Sequence, residues 1–226
     1  FLSGHGTVIG GVLVDSGQFD WDAAHAKTGR FEEMAAGYEG FHGMVFSEES
    51  SVGAYLLRAR REGLRDFGAC MSPHTAWLIL QGIETLPLRM ARHMSNTEKV
   101  VAFLAGQPFV SRIGHPLLES HPSHALAKEL LPRGAGSVFS FDIRGSREQG
   151  KTFIEALKLF SHLANVGDCR SLVIHPASTT HFRMSDEALA SAGISQGTIR
   201  LSIGLEDPDD LIDDLKRALK AAEKAA

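Results

Sequence analysis

Cysteine is scarce: Cys70 and Cys169 are the only two in 226 residues. A disulfide framework is excluded by number, and buried free thiols in a reducing compartment are the expectation. No CxxC pair offers a redox or zinc motif. Excess charge is also lacking, with 23 basic residues against 27 acidic and a net charge of -4. The basic residues are scattered, so no stripe is presented to a polyanion, and nucleic-acid binding is not expected. No run approaches the roughly 18 apolar residues of a membrane span. The start, FLSGHGTVIGG, has neither the basic region nor the apolar core of a signal peptide, and cytoplasmic placement is the simplest expectation. There is no GxSxG elbow, and Gly4, Gly6 and Gly10 miss the dinucleotide-binding spacing. His121 and His124 stand without a third ligand nearby, which leaves a metal site unsupported.

What is present is a globular composition, 43% hydrophobic, sufficient for one large domain or one and a half ordinary ones. Residues 7–14, TVIGGVLV, read as a buried strand closed by Asp15, Ser16 and Gly17. Residues 20–50 read as irregular, broken by glycines and rich in aromatics. Residues 51–66 suggest a helix with Val52, Tyr55, Leu56 and Ala59 on its inner face. Ser72 and Pro73 supply a cap and first turn for a long helix, which Pro87 should kink or break after Thr85. A second helix then runs to about Leu104, followed by a loop at 106–123. An α/β unit comes next: strands at 137–143, 164–166, 172–175 and 198–205, and a helix at 147–160. A last helix is capped by Asp207 with Pro208 in its first turn, and its charges complement the macrodipole.

Within the strand at 198–205, Ile199, Leu201 and Ile203 alternate with Arg200, Ser202 and Gly204, so Arg200 points away from the isoleucines. On an edge strand such an arginine would ordinarily be solvated or paired for structural reasons. Burial without a partner is costly, and the planar guanidinium matches a carboxylate bidentately.

Several strings bear on that choice: FLSGHGTVIGG at 1–11, SPHTAWLILQGIETLPLRMARH at 72–93, GAGSVFSFDI at 134–143, NVGDCRSLVIHPASTTH at 165–181 and GTIRLSIGLED at 197–207. In order and spacing they resemble the pyridoxal-phosphate enzymes of cysteine and methionine metabolism, over nearly the whole chain. The resemblance implies an α/β fold, the C-terminal part of a fold type I pyridoxal-phosphate transferase. Residues 1–85 would be the remainder of the large cofactor domain with its linking helix, and 86–226 the C-terminal α/β domain.

The resemblance also implies roles. The lysine that holds pyridoxal 5'-phosphate is expected immediately before Phe1, and the groups that cradle the phosphate and face the ring are expected further upstream. Arg200 takes the role of holding the substrate α-carboxylate, and Asn165 adds a second contact through side chain or backbone. Ser171, Thr179, Thr180 and His181 would be a supporting shell, although each could equally be a satisfied core polar group. His5 would lie near the cofactor, although a histidine in a glycine-rich turn is more often structural. The segment YEGFHGMVF at 38–46 resembles the branch acting on O-acetyl-L-homoserine. The implied reaction is γ-replacement by sulfide, or methanethiol, giving homocysteine, or methionine, and acetate. Methionine γ-lyase and cystathionine γ-synthase activities are the alternatives within the family, and a non-catalytic fragment is the alternative outside it. Family members pair as homodimers that assemble into homotetramers, and the same is expected here.

Overall fold

The computed structural model describes residues 1–50 and 53–225. They form two compact units, residues 1–8 with 78–226 and residues 9–77.

The unit at 9–77 is built from short helices, α1 (Trp21–Thr28), α2 (Glu32–Ala35), α3 (Phe46–Glu49) and α4 (Ala54–Arg58). Asp20 caps α1 by accepting the Ala23 N–H at 2.9 Å, and Gly29 ends it at φ 66°. The stretch expected to be irregular thus holds short helices, of which α1 is capped by a side chain while α2 and α3 are not. Met34, Phe46 and Ala54 are its buried centre, with Trp21, Tyr38, Phe41, Met44 and Leu57 packed around them. The expected helix at 51–66 is α4 continued by π-helical turns over Ala59–Asp66. Ala54 is buried while Tyr55 is 39% exposed, so the inner face differs from the one expected; Ser51 and Val52 lie outside the described residues. The apolar run at 7–14 is not a strand. It forms no ladder, and Ile9 and Val14 are 96% and 84% exposed. A strand needs a hydrogen-bonded neighbour, and apolar side chains alone do not supply one.

The larger unit begins with residues 1–8 and resumes within α5 (Pro73–Glu84), whose Ser72 hydroxyl accepts the Thr75 N–H at 3.1 Å. Helix α6 (Leu86–Ala105) starts where Pro87 falls in its first turn, as expected. The remaining elements are β1 (Val110–Ile113), α7 (His124–Leu130), β2 (Val138–Ile143), α8 (Arg147–Ala156), β3 (Ser161–His162), β4 (Leu172–Ile174), α9 (Asp186–Ser191), β5 (Thr198–Ser202) and α10 (Pro208–Lys224). The strands form one mixed sheet in the order β1-β2-β5-β4-β3, with only β3 and β4 parallel. Phe139, Phe141, Ile199, Leu201 and Val173 meet Val100, Leu104, Phe153, Leu211, Leu215 and Ala218 from α6, α8 and α10 in one core.

Strand β1 falls inside the segment read as loop, and α7 and α9 were not expected. The short strand placed at 164–166 lies instead at Ser161–His162. Helix α8 stops at Ala156, short of 160, because the buried Asp214 carboxylate of α10 takes the N–H groups of Lys158, Leu159 and Phe160 at 3.0, 2.8 and 3.3 Å. Those amides are satisfied by a side chain and need no further helical turn. No helix among the described residues is long and apolar enough to cross a membrane.

Candidate substrate site around Arg200

Strand β5 is the middle strand of the sheet, and Arg200 stands opposite Ser140 on β2 and Ile174 on β4. An arginine here cannot be the loosely solvated side chain of an edge strand. Its neighbours Ile199 and Leu201 are fully buried in the core, and Thr198 and Ser202 are buried on the opposite face, leaving Arg200 half-buried among them. One Nη2–H donates to the carbonyl of Asn165 at 3.2 Å. Among the described residues no carboxylate forms an ion pair with it. The fork is held at one corner, with its remaining donors uncommitted to any carboxylate of the chain.

The end of β5 is anchored from α6. Buried His93 donates Nδ1–H to the Ile203 carbonyl at 2.6 Å, and Asn96 Nδ2 donates to the carbonyls of Gly204 and Glu206 at 3.0 and 2.8 Å. Burial pushes the His93 pKa below its ordinary value, which keeps the ring neutral.

Asn165 opens the loop that meets this strand. Its Oδ1 accepts the Val166 N–H at 2.9 Å, so the side-chain oxygen shapes the turn while the backbone oxygen holds Arg200. Gly167, at φ 80°, donates its N–H to Ser202 Oγ at 3.0 Å. A Cβ at Gly167 would lie 2.5 Å from the nitrogen of Phe1 and 2.9 Å from its ring, so glycine is required by both conformation and space. One loop thus touches Arg200, Ser202 and the backbone nitrogen of Phe1. The Phe1 ring stands edge-on to His93, with centroids 5.4 Å apart.

The other expected polar residues serve elsewhere. Ser171 donates its hydroxyl to Glu206 Oε2 at 2.8 Å and its N–H to Oε1 at 2.6 Å, and accepts the Gly204 N–H at 2.8 Å. Thr179 donates to the His175 carbonyl at 2.8 Å, while Thr180 and His181 bond each other at 2.8 Å. None of these bonds reaches Arg200; Ser171 steadies the strand's exit through Glu206. His5 Nδ1 is 3.8 Å from the Cys169 sulfur. Both cysteines are free, but Cys70 is exposed and Cys169 only half-buried, contrary to the expected burial. Burial pushes the Cys169 thiol up, which disfavours the thiolate.

One residue that sequence reasoning missed is Arg89. Only 6% exposed, it donates from Nη1 to the Phe1 carbonyl at 2.7 Å, and from Nη2 to the carbonyls of Leu2 and Gly82 at 3.2 and 2.7 Å. Nothing local signals the link to the start of the chain: the Phe1 and Leu2 carbonyls lie 88 and 87 residues away.

The fold is that of the C-terminal part of a fold type I pyridoxal-phosphate enzyme. A solved structure from Campylobacter jejuni, described as an O-acetylhomoserine (thiol)-lyase and containing a pyridoxyl-lysine monophosphate residue, superposes with a TM-score of 0.85 at 39% identity, covering 97% of this chain and 51% of its own. The model of the Cys/Met metabolism PLP-dependent enzymes matches residues 1–220, and the chain belongs to that family. A homocysteine synthase from Schizosaccharomyces pombe is 46% identical over 98% of this chain and 51% of its own length. An O-acetyl-L-homoserine sulfhydrylase from Leptospira meyeri is 45% identical over 97% and 51% respectively. The chain therefore spans about half the length of the curated relatives it matches.

Proposed function

We propose that this chain is the substrate-orienting half of an enzyme that replaces the acetate of O-acetyl-L-homoserine with sulfide, or methanethiol, to give homocysteine, or methionine. The observation that carries the reading is the Arg200 fork, held on the central strand by a backbone carbonyl and lacking a carboxylate partner among the described residues. Arg200 binds the α-carboxylate, and the Asn165 loop sets its angle. The residues present fit a pyridoxal group at its substrate end: the loop that holds Arg200 also seats the nitrogen of Phe1, the atom to which the expected lysine would be joined. Pyridoxal phosphate, when bound, supplies the electron sink that γ-replacement needs. Fixing the carboxylate at two points restricts rotation of the substrate's Cα and decides which of its bonds faces the reacting group. The relatives named as homocysteine synthase and O-acetyl-L-homoserine sulfhydrylase support the choice of substrate.

Residues 1–85 then complete the large cofactor domain and 86–226 form the C-terminal domain. Assembly as homodimer pairs in a homotetramer and a cytoplasmic location belong to the same reading; the free thiols Cys70 and Cys169 suit the latter. The test uses a chain that also carries the half preceding Phe1. It should release homocysteine from O-acetyl-L-homoserine plus sulfide. Turnover with cysteine in place of sulfide, or with methionine alone, would reassign it to the cystathionine γ-synthase or methionine γ-lyase reaction. Absence of the visible absorbance of a lysine-bound pyridoxal would count against any of the three.

A further inference from the structure

We infer that Arg89 is a positioning residue that sets the direction of the chain at Phe1, and through it the lysine expected just before. The inference rests on the functional reading above. Arg89 is buried on α6 with no ion-pair partner among the described residues, an environment that disfavours a guanidinium whose donors are unused. Four hydrogen bonds from its five donors go to neutral oxygens. Nε donates to Thr85 Oγ1 at 3.2 Å, Nη1 to the Phe1 carbonyl at 2.7 Å, and Nη2 to the carbonyls of Leu2 at 3.2 Å and Gly82 at 2.7 Å. Gly82 lies in the last turn of α5, where helical carbonyls lack intrahelical partners, so one planar fork joins a helix end to the first two residues of the chain.

The surroundings leave this segment no slack. Gly4, at φ 75°, packs against the guanidinium so closely that a Cβ would lie 2.6 Å from Cζ. A Cβ on Gly82 would collide with the Leu2 and Ser3 carbonyls, and one on Gly6 would lie 2.5 Å from the Asp168 carboxylate. The Gly4 carbonyl accepts the Cys169 N–H at 2.9 Å. With the Phe1 nitrogen packed against Gly167 and its carbonyl held by Arg89, both ends of that residue are held in place. A group joined to that nitrogen is aimed by contacts on both sides of the residue that follows it. Lysine at position 89 would keep the charge but could not bridge all these oxygens at once.

The test compares Arg89→Lys with wild type in the enzyme carrying both halves. In cofactor-free protein, amide exchange of residues 2–6 should quicken by about tenfold while α10 exchanges as before. In the loaded enzyme kcat should fall by about a hundredfold, with KM for O-acetyl-L-homoserine within about twofold, since misplacement by about 1 Å can cost that much. Wild-type exchange and wild-type kcat in Arg89→Lys would overturn the inference. Should that variant fail to fold, Gly4→Ala pushes directly on the guanidinium and must show the same pattern; if it folds with unchanged exchange and kcat, the inference falls. A wild-type enzyme that makes no homocysteine overturns the functional reading instead, and the exchange arm still decides whether Arg89 is the clamp.

Discussion

Arg200 has five N–H donors, and one of them meets the Asn165 carbonyl. Removing the side chain should therefore cost substrate binding and leave the fold intact. Arg200→Ala is expected to raise KM for O-acetyl-L-homoserine about a hundredfold, roughly 3 kcal/mol at about 1.4 kcal/mol per decade. Arg200→Lys should recover only part of it, because an ammonium cannot reproduce the fork. Asn165→Ala should raise KM by no more than about tenfold, because Arg200 is held by the backbone oxygen, which alanine retains. All three measurements are steady-state titrations of the amino-acid substrate at saturating sulfide. Arg200 was legible in the sequence because a charge stood out in an alternating apolar strand. Arg89 was not, because its role depends on carbonyls that folding brings to it from residues 1 and 2.

Elements were legible where local chemistry marks their ends. Ser72 before Pro73 and Asp207 before Pro208 start α5 and α10 where cap and proline predict, and Pro87 marks the start of α6. Ends fixed by distant groups were not legible. The end of α8 depends on Asp214, whose carboxylate also accepts from Arg217 one turn further along α10. Asp214→Ala leaves three amides and that guanidinium without their partner and should lower the unfolding free energy by about 3 kcal/mol, read from urea midpoints. Strand β1 escaped notice for a related reason. Its ladder to β2 is irregular between Val110 and Arg112, and it is held partly by the Arg112–Asp142 ion pair at 2.6 Å, neither of which shows as a hydrophobic period.

At the scale of the whole molecule, three buried histidines couple stability to pH. Burial pushes the pKa of His93, His115 and His175 below the ordinary value. The unfolded chain then binds more protons than the folded one, so stability is fully present above about pH 6.5 and declines as pH falls below it. Each histidine can contribute a slope of up to about 1.4 kcal/mol per pH unit. Urea titrations at pH 7 and pH 5 should show the loss, and His175→Gln should remove the part that His175 contributes; a pH-independent midpoint would contradict the assignment. The exposed run at 9–14 shows what a sequence alone conceals. Ile9, Val12 and Val14 read as a core strand, yet burial depends on a neighbour that composition does not reveal. The family and the fold class were legible because five strings kept their order across the chain, a signal that survives errors in single elements.

The most direct measurement is the KM for O-acetyl-L-homoserine in homocysteine synthesis, with wild type and Arg200→Ala compared in the enzyme carrying both halves. A KM raised about a hundredfold, with the absorbance of the lysine-bound cofactor unchanged, is the expected result. An unchanged KM in a variant that folds and holds its cofactor would contradict the carboxylate role of Arg200.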